Sequence, residues 1–238
     1  MNRVMIAAVV MSGLVGWLCA PQARAETAPV VVELFTSQGC AACPPADRFL
    51  EELAARDDVI ALGLHVDYWD YIGWTDSFAK PEFTDRQRRY ALAAASSKVY
   101  TPEMVIGGIE RVKGNRVMRV VDAIRRVRAQ APAVRVSLER RDPTTLHLAA
   151  ESLLAIPEPL DVKLVEYIPR RHVTIEAGEN EGRDVTYANV VTRLEIVERW
   201  DGRSNLDLAL DVARDAQAAV FVQRAGQGRI LGSARPVQ

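Results

Sequence analysis

The sequence predicts an α/β domain over residues 27–131 followed by an all-β, sandwich-like domain over residues 132–238, and three observations carry that reading. An apolar run, a Cys-x-x-Cys pair and an amphipathic segment stand in immediate succession near the start. A second apolar run follows a charged turn, which makes a strand, helix, strand unit. Beyond Ala131-Pro132, helical periodicity gives way to alternation of apolar and polar residues.

Ahead of the first domain, Arg3 precedes a mostly apolar stretch from Val4 to Cys19, and Ala23-Arg24-Ala25 closes it. This is the n-region, h-region and cleavage signal of a secretory leader over residues 1–25. Ser12, Gly13 and Gly16 interrupt the run, which falls short of the roughly 20 apolar residues a membrane span needs. Large Leu18 stands where lipid attachment at Cys19 would want a small residue. Cleavage after Ala25 removes Cys19, Arg3 and Arg24, so the three cysteines become two and the formal charge moves from -1 to -3. The expected location is periplasmic or secreted. One close cysteine pair in a chain this long is not a disulfide-stapled scaffold, so stability must come from ordinary cores. The 49% hydrophobic content and balanced charge fit a globular protein. No basic tract points to nucleic acid, and removal of the leader leaves no membrane segment.

Val30 to Phe35 reads as a strand buried on both faces of a parallel sheet, with Glu33 as its anomaly. Pro44 and Pro45 suit a helix first turn, where a missing amide hydrogen costs nothing. Ala46, Phe49, Leu50, Leu53 and Ala54 then recur at helical spacing, with Asp47, Arg48, Glu51 and Glu52 opposite. Arg56-Asp57-Asp58 turns the chain into a second strand, Val59 to Val66, through a right-handed crossover. An aromatic stretch, HVDYWDYIGWTDSF, leads to a helix from Glu82 to about Ser96. A hairpin from Met104 to Lys113, turning at Gly107-Gly108, precedes a helix through Val117, Val120, Val121, Ile124 and Val127. In the second half Val134, Val136 and Leu138, then Leu146, Leu148 and Ala150, then Leu206, Leu208 and Leu210 alternate as antiparallel strands do. RRDPTT, PEP, GENEG and DGRSN are the intervening turns.

The chemistry centres on Cys40-Ala41-Ala42-Cys43. A thiolate is the nucleophile of thiol-disulfide exchange, and a free cysteine of pKa about 8.5 is mostly protonated at neutral pH. A helix N-terminus lowers that value through its partial positive charge and unpaired amide hydrogens. Cys40, the more exposed of the two, is the expected nucleophile and Cys43 the resolving thiol. Glu33 is the candidate buried acid, able to exchange a proton with a thiol, or else a carboxylate paired with an arginine.

The stretches VVVELFTSQGCAACPPAD, HVDYWDYIGW, TPEMVIGG and GENEGRDVTYANVV resemble a secreted, thioredoxin-like family catalogued as domain of unknown function 1223. The resemblance implies a thioredoxin fold for residues 29 to about 131, with Cys40 attacking, Cys43 resolving, Glu33 as the counterpart of the buried acid and Pro102 as the cis-proline beside the pair. Gly39 in place of the usual tryptophan, and Glu33 one residue further from the first cysteine than the usual aspartate, are departures from the thioredoxin pattern.

Trp69, Tyr71 and Trp74 leave the carboxyl end of a strand, where α/β folds place ligand sites. They line a substrate groove in one reading and pack the inserted helix in the other. The backbone at Thr101 is placed to pair with an extended substrate. A closed zinc site wants four ligands, which the chain lacks near the pair. Copper(I) on Cys40, Cys43 and His65 is the metal alternative, since soft thiolates select it. Glu179, Glu181 and Asp184 lack the spacing of a calcium loop and read as part of a turn. The sequence thus predicts a thiol-disulfide oxidoreductase with no bound cofactor and no metal, whose partners are protein thiols and disulfides and an upstream redox protein. The alternative is a non-enzymatic binder, either a copper(I) carrier or a redox-silent adaptor using the β domain.

Overall fold

The computed structural model describes residues 28–236, so the expected leader lies outside the described residues. Two sheets organise the described residues: an eight-stranded mixed sheet and a three-stranded antiparallel one.

β1 (Val30–Thr36) and β2 (Val59–His65) are buried at every position. They pair in parallel from Val30↔Val59 to Thr36↔His65, joined by α1 (Pro44–Ala54). On the other side of β1 comes β3 (Glu103–Ile106), antiparallel, with Glu33 opposite Val105. β4 (Glu110–Lys113) pairs with β3 and forms the sheet edge. α1 and α3 (Val117–Arg128) cover one face, where Val30, Val32 and Leu34 meet Phe49, Leu50, Leu53 and Ile124. α2 (Pro81–Ala93) lies on the other, where Val31 and Phe35 meet Phe83 and Tyr90. Strand side chains alternate between faces, and this parity decides which β1 residues can meet the cysteines.

In the second half, β5 (Val134–Asp142), β6 (Thr145–Ser152) and β9 (Leu206–Asp211) form the small sheet in the order β5-β6-β9. It packs over β7 (Leu160–Thr174), β10 (Gln217–Arg224) and β11 (Ile230–Ala234) through Leu138, Leu146, Leu148, Val162, Leu164, Val220 and Val222. Each such side chain taken fully out of water is worth about 1.5–3 kcal/mol, so this core stabilises the half strongly.

The structure differs from two folds in series at one seam. β8 (Asp184–Trp200) runs antiparallel to β7 over a long register and then meets β2 in parallel at Gly63↔Val190. The large sheet therefore reads β11-β10-β7-β8-β2-β1-β3-β4, with strands from both sides of residue 132. The reason is the open edge of β2, whose unpaired backbone groups need a partner. β8 supplies one, and the Asn189 side-chain amide donates to the Ala61 carbonyl at 2.8 Å. Glycine at position 63 permits the approach: a Cβ there would lie 3.2 Å from the Ala188 carbonyl oxygen and 3.4 Å from Leu50.

Candidate functional site

Cys40 and Cys43 form a disulfide with Cα atoms 5.4 Å apart, in the turn that enters α1. Local bonds build the turn: the Cys40 amide donates to Ser37 O (3.1 Å) and the Cys43 amide to Cys40 O (3.1 Å). Cys43 is the N-cap, and Pro44 and Pro45 take the first two helical positions. This refines the source of any thiolate stabilisation. The prolines carry no amide hydrogen, and the Ala46 and Asp47 amides both donate to the Cys43 carbonyl (2.8 and 3.1 Å). What remains to favour negative charge on a Cys40 sulfur is the helix dipole rather than a set of free helical donors.

Cys40 was expected to be the exposed member of the pair, but it is 1% exposed and Cys43 0%, while Ala41 and Ala42 face solvent. Two segments account for the cover. The aromatic stretch after β2 packs directly on the turn: a Cβ at Gly39 would sit 3.3 Å from both Ile72 Cδ1 and Trp69 Cβ, a tight fit that a side chain at 39 could take only if these neighbours gave way slightly. Trp74 Nε1 donates to Gln38 Oε1 (2.7 Å), and Trp69 Nε1 donates to Thr101 Oγ1 (2.7 Å), which latches this stretch to the loop before Pro102. From the far half of the chain, Asn180 Nδ2 donates to both Gln38 O (2.8 Å) and Cys40 O (3.0 Å). The GENEG segment, legible in the sequence only as a turn, is thus part of the housing of the first cysteine. Its Gly178, at φ +80°, backs onto Trp74: a Cβ added there would lie 3.2 Å from Trp74 Cβ.

The Thr101–Pro102 peptide bond is cis. Pro102 stands beside the first turn of α1 with Gly114 as the spacer, since a Cβ on Gly114 would lie 3.1 Å from both Pro102 Cβ and Ala46 Cβ. Ala42, Thr101 and Pro102 together line a surface cleft of about 660 Å³. The structure thus brings Cys40, Cys43, Thr101, Pro102 and Trp69 into one neighbourhood.

Glu33 does not join them. It shares the β1 face of Val31 and Phe35, opposite the face that α1 covers. There it is fully buried in a two-pronged pair with Arg86, Oε1 to Nε at 2.6 Å and Oε2 to Nη2 at 3.0 Å, and accepts a further bond from the Tyr90 hydroxyl. The arginine-paired reading of Glu33 describes this environment, and a proton exchange with the cysteines does not.

The carboxyl on the correct face is Asp47. It lies one helical turn after Cys43, and residues at i and i+4 are neighbours on a helix surface. Asp47 was expected among the polar residues of α1, yet it is 3% exposed. Thr36 Oγ1 donates to its Oδ1 (2.7 Å), while Oδ2 is buried without a partner among the described residues. Burial pushes its pKa from 3.8 up to about 7, against the lowering effect of the Thr36 bond and of nearby His65. The carboxyl can therefore take up or release a proton near neutral pH.

Beside it, His65 Nδ1 lies 2.7 Å from Asp76 Oδ2, and the ring is held edge-on between Phe78 and Tyr187 at centroid distances of 5.2 and 4.8 Å. Asp76 Oδ2 also accepts from the Gln38 amide (2.8 Å), and its Oδ1 accepts from the Phe78 amide (2.9 Å). These bonds make His65 and Asp76 a structural strut under the cysteine turn. Among the described residues, no three His, Cys, Asp or Glu side chains converge as a metal site. At Asp184 the carboxylate accepts from Thr174 Oγ1 (2.6 Å), while Glu179 and Glu181 face solvent on the turn.

A family model described as a protein of unknown function (DUF1223) matches residues 31–223. The crystal structure of protein AGR_C_4864 from Agrobacterium tumefaciens is similar at a TM-score of 0.77 and 33% sequence identity, with 89% of this chain and 95% of that chain covered. A search of the curated proteins found no match. The motifs that surround the disulfide, from Val31 in β1 through the Asn180 turn, fall inside the matched span, and the chain belongs to the DUF1223 family.

Proposed function

We propose that the chain is an exported thiol-disulfide oxidoreductase, with a thioredoxin-like first half, acting on protein disulfides through Cys40 and Cys43. The observation that carries this reading is a cysteine pair at a helix N-terminus with a buried, near-neutral carboxyl one turn further along the same helix. In the reducing direction the Cys40 thiolate attacks one sulfur of a substrate disulfide. A Cys40–substrate bond forms, the substrate S–S bond breaks, and the other substrate sulfur leaves as thiolate. Cys43 then gives its proton to the Asp47 carboxylate and attacks Cys40 Sγ. The pair closes, the second substrate sulfur departs, and two electrons have passed from the pair to the substrate. An upstream dithiol protein reopens the pair by the same chemistry, and oxidation of substrate dithiols is the reverse sequence.

Approach of a substrate sulfur requires the cover over Cys40 to part, and the Trp69–Thr101 bond is the side-chain latch that holds its aromatic piece to the loop before Pro102. Thr101, in the loop ahead of β3, and Pro102 line the cleft beside Ala42 and give an extended substrate segment a place to lie. The copper(I) alternative is weaker, because among the described residues no three His, Cys, Asp or Glu side chains converge to hold a metal.

Exchange is tested with serine variants of the mature chain. Cys43→Ser is expected to accumulate mixed disulfides on Cys40 when given disulfide-bonded protein substrates, seen by non-reducing electrophoresis and mass spectrometry. Cys40→Ser is expected to accumulate none. Equal trapping by both variants, or by neither, contradicts the proposal.

A further inference from the structure

The cleft beside the disulfide does not end at Pro102. A second cavity of about 670 Å³ shares Tyr100, Arg111 and Lys113 with it and continues to Arg116 and Arg119 at the start of α3. The two make one groove from Ala42, between the cysteines, across the sheet-edge strand β4 to α3.

The charge along this groove is one-sided. Its acids are already committed: Glu103 pairs with Arg111 at 2.7 Å, Glu110 with Arg126 at 2.8 Å and Asp122 with Arg125 at 3.5 Å. Lys98, Lys113, Arg116 and Arg119 are exposed, and none has a carboxylate within 4.0 Å among the described residues. In a chain whose formal net charge is -1, four cations without a carboxylate partner thus lie along one groove that starts at Ala42, beside the disulfide. Clefts lined by one sign of charge focus the field and draw in ligands of the other. The outer edge of β4 adds backbone groups that an extended segment can pair with. Two adjoining cavities of this size exceed what a small thiol fills and suit several residues of polypeptide.

We propose that this groove binds an extended acidic segment of a protein substrate and thereby selects disulfides flanked by Asp and Glu. The selection rests on the redox reading for its consequence, whereas the binding of an acidic segment does not.

The test uses the mature protein and three synthetic peptides, each with one disulfide, flanked by acidic, neutral or basic residues, together with serine-for-cysteine analogues that bind without exchanging. By fluorescence anisotropy, the acidic analogue is expected to bind about tenfold or more tighter than the neutral one at low ionic strength. Salt should erode that preference, and K113E combined with R116E should abolish it. K113M combined with R116Q, a milder pair at exposed positions, should reduce it part-way. Equal binding of acidic and neutral analogues overturns the groove, and so does an equal preference in wild type and both charge variants. Competition by glutathione disulfide as effective as the acidic peptide also overturns it, by placing a small acidic disulfide there instead. Exchange rates with the disulfide peptides separate the two claims. Acidic binding without any exchange removes the redox reading and leaves the groove, while exchange without charge preference does the opposite.

Discussion

Arg86→Met is expected to destabilise the protein by about 3–5 kcal/mol, because breaking a buried ion pair from one side strands the other charge. Arg86 is 2% exposed and Glu33 is fully buried. Besides its two bonds to Glu33, the guanidinium donates to the Tyr90 hydroxyl (2.8 Å) and to Gln227 Oε1 (3.1 Å), so one side chain ties α2 to β1 and to the turn between β10 and β11. Lys163 enters the same network through Gln223 Oε1 (2.8 Å), with its pKa lowered to about 8 chiefly by burial. In the variant Glu33 is left in the core without its counter-ion. Adding Glu33→Leu should recover much of the loss, since well-packed apolar replacements of buried pairs are often neutral or better. Urea unfolding of the parent, the single variant and the double variant measures this, and a loss under about 1 kcal/mol for Arg86→Met alone contradicts it.

Asp47→Asn should do the reverse and stabilise. The folded pKa of Asp47 is raised from 3.8 to about 7. Its contribution to stability is therefore greatest below about pH 4 and is lost as pH rises to about 7. Three units correspond to about 4 kcal/mol. The asparagine variant, which keeps an oxygen for the Thr36 hydroxyl, should exceed the parent by up to that amount at pH 8 and converge with it near pH 4. The same variant should resolve mixed disulfides more slowly, because Cys43 loses the group that takes its proton. Unfolding free energies measured from pH 4 to 8 decide the first point, and a difference independent of pH would sink it.

Much of the scaffold was legible because its signals are local. The β1, α1, β2 unit, the β3–β4 hairpin and α3 announce themselves through period-3.6 and apolar-run patterns read within a few residues. α2 starts at Pro81 and ends at Ala93, shorter than the polar pattern running on to Ser96 suggests. The fusion of both halves into one sheet was not legible, since β8 reaches β2 only through the close approach at Gly63, and Pro169 inside β7 argues against so long a strand.

The site divides in the same way. Motif and order were enough to put the cysteines, Pro102, Thr101 and Trp69 in one neighbourhood, which is where the structure has them. The acid was misplaced because β1 is apolar on both faces, so its sequence carries no parity signal to say which side Glu33 takes. A signal for Asp47 did exist: it stands four residues after Cys43, on the same helical face. Asn180 and Asp76 carried none, because each reaches the cysteine turn only through the tertiary fold.

Thiol-disulfide exchange by this pair needs the amino end of α1 to hold the Cys40 sulfur as a thiolate at neutral pH. The ultraviolet absorbance of the thiolate in the reduced Cys43→Ser variant, followed against pH, reads that sulfur without requiring any reagent to reach it. The expected midpoint lies at least about one unit below the ordinary cysteine value of about 8.5. A midpoint at or above that value would rule out a thiolate held by the helix.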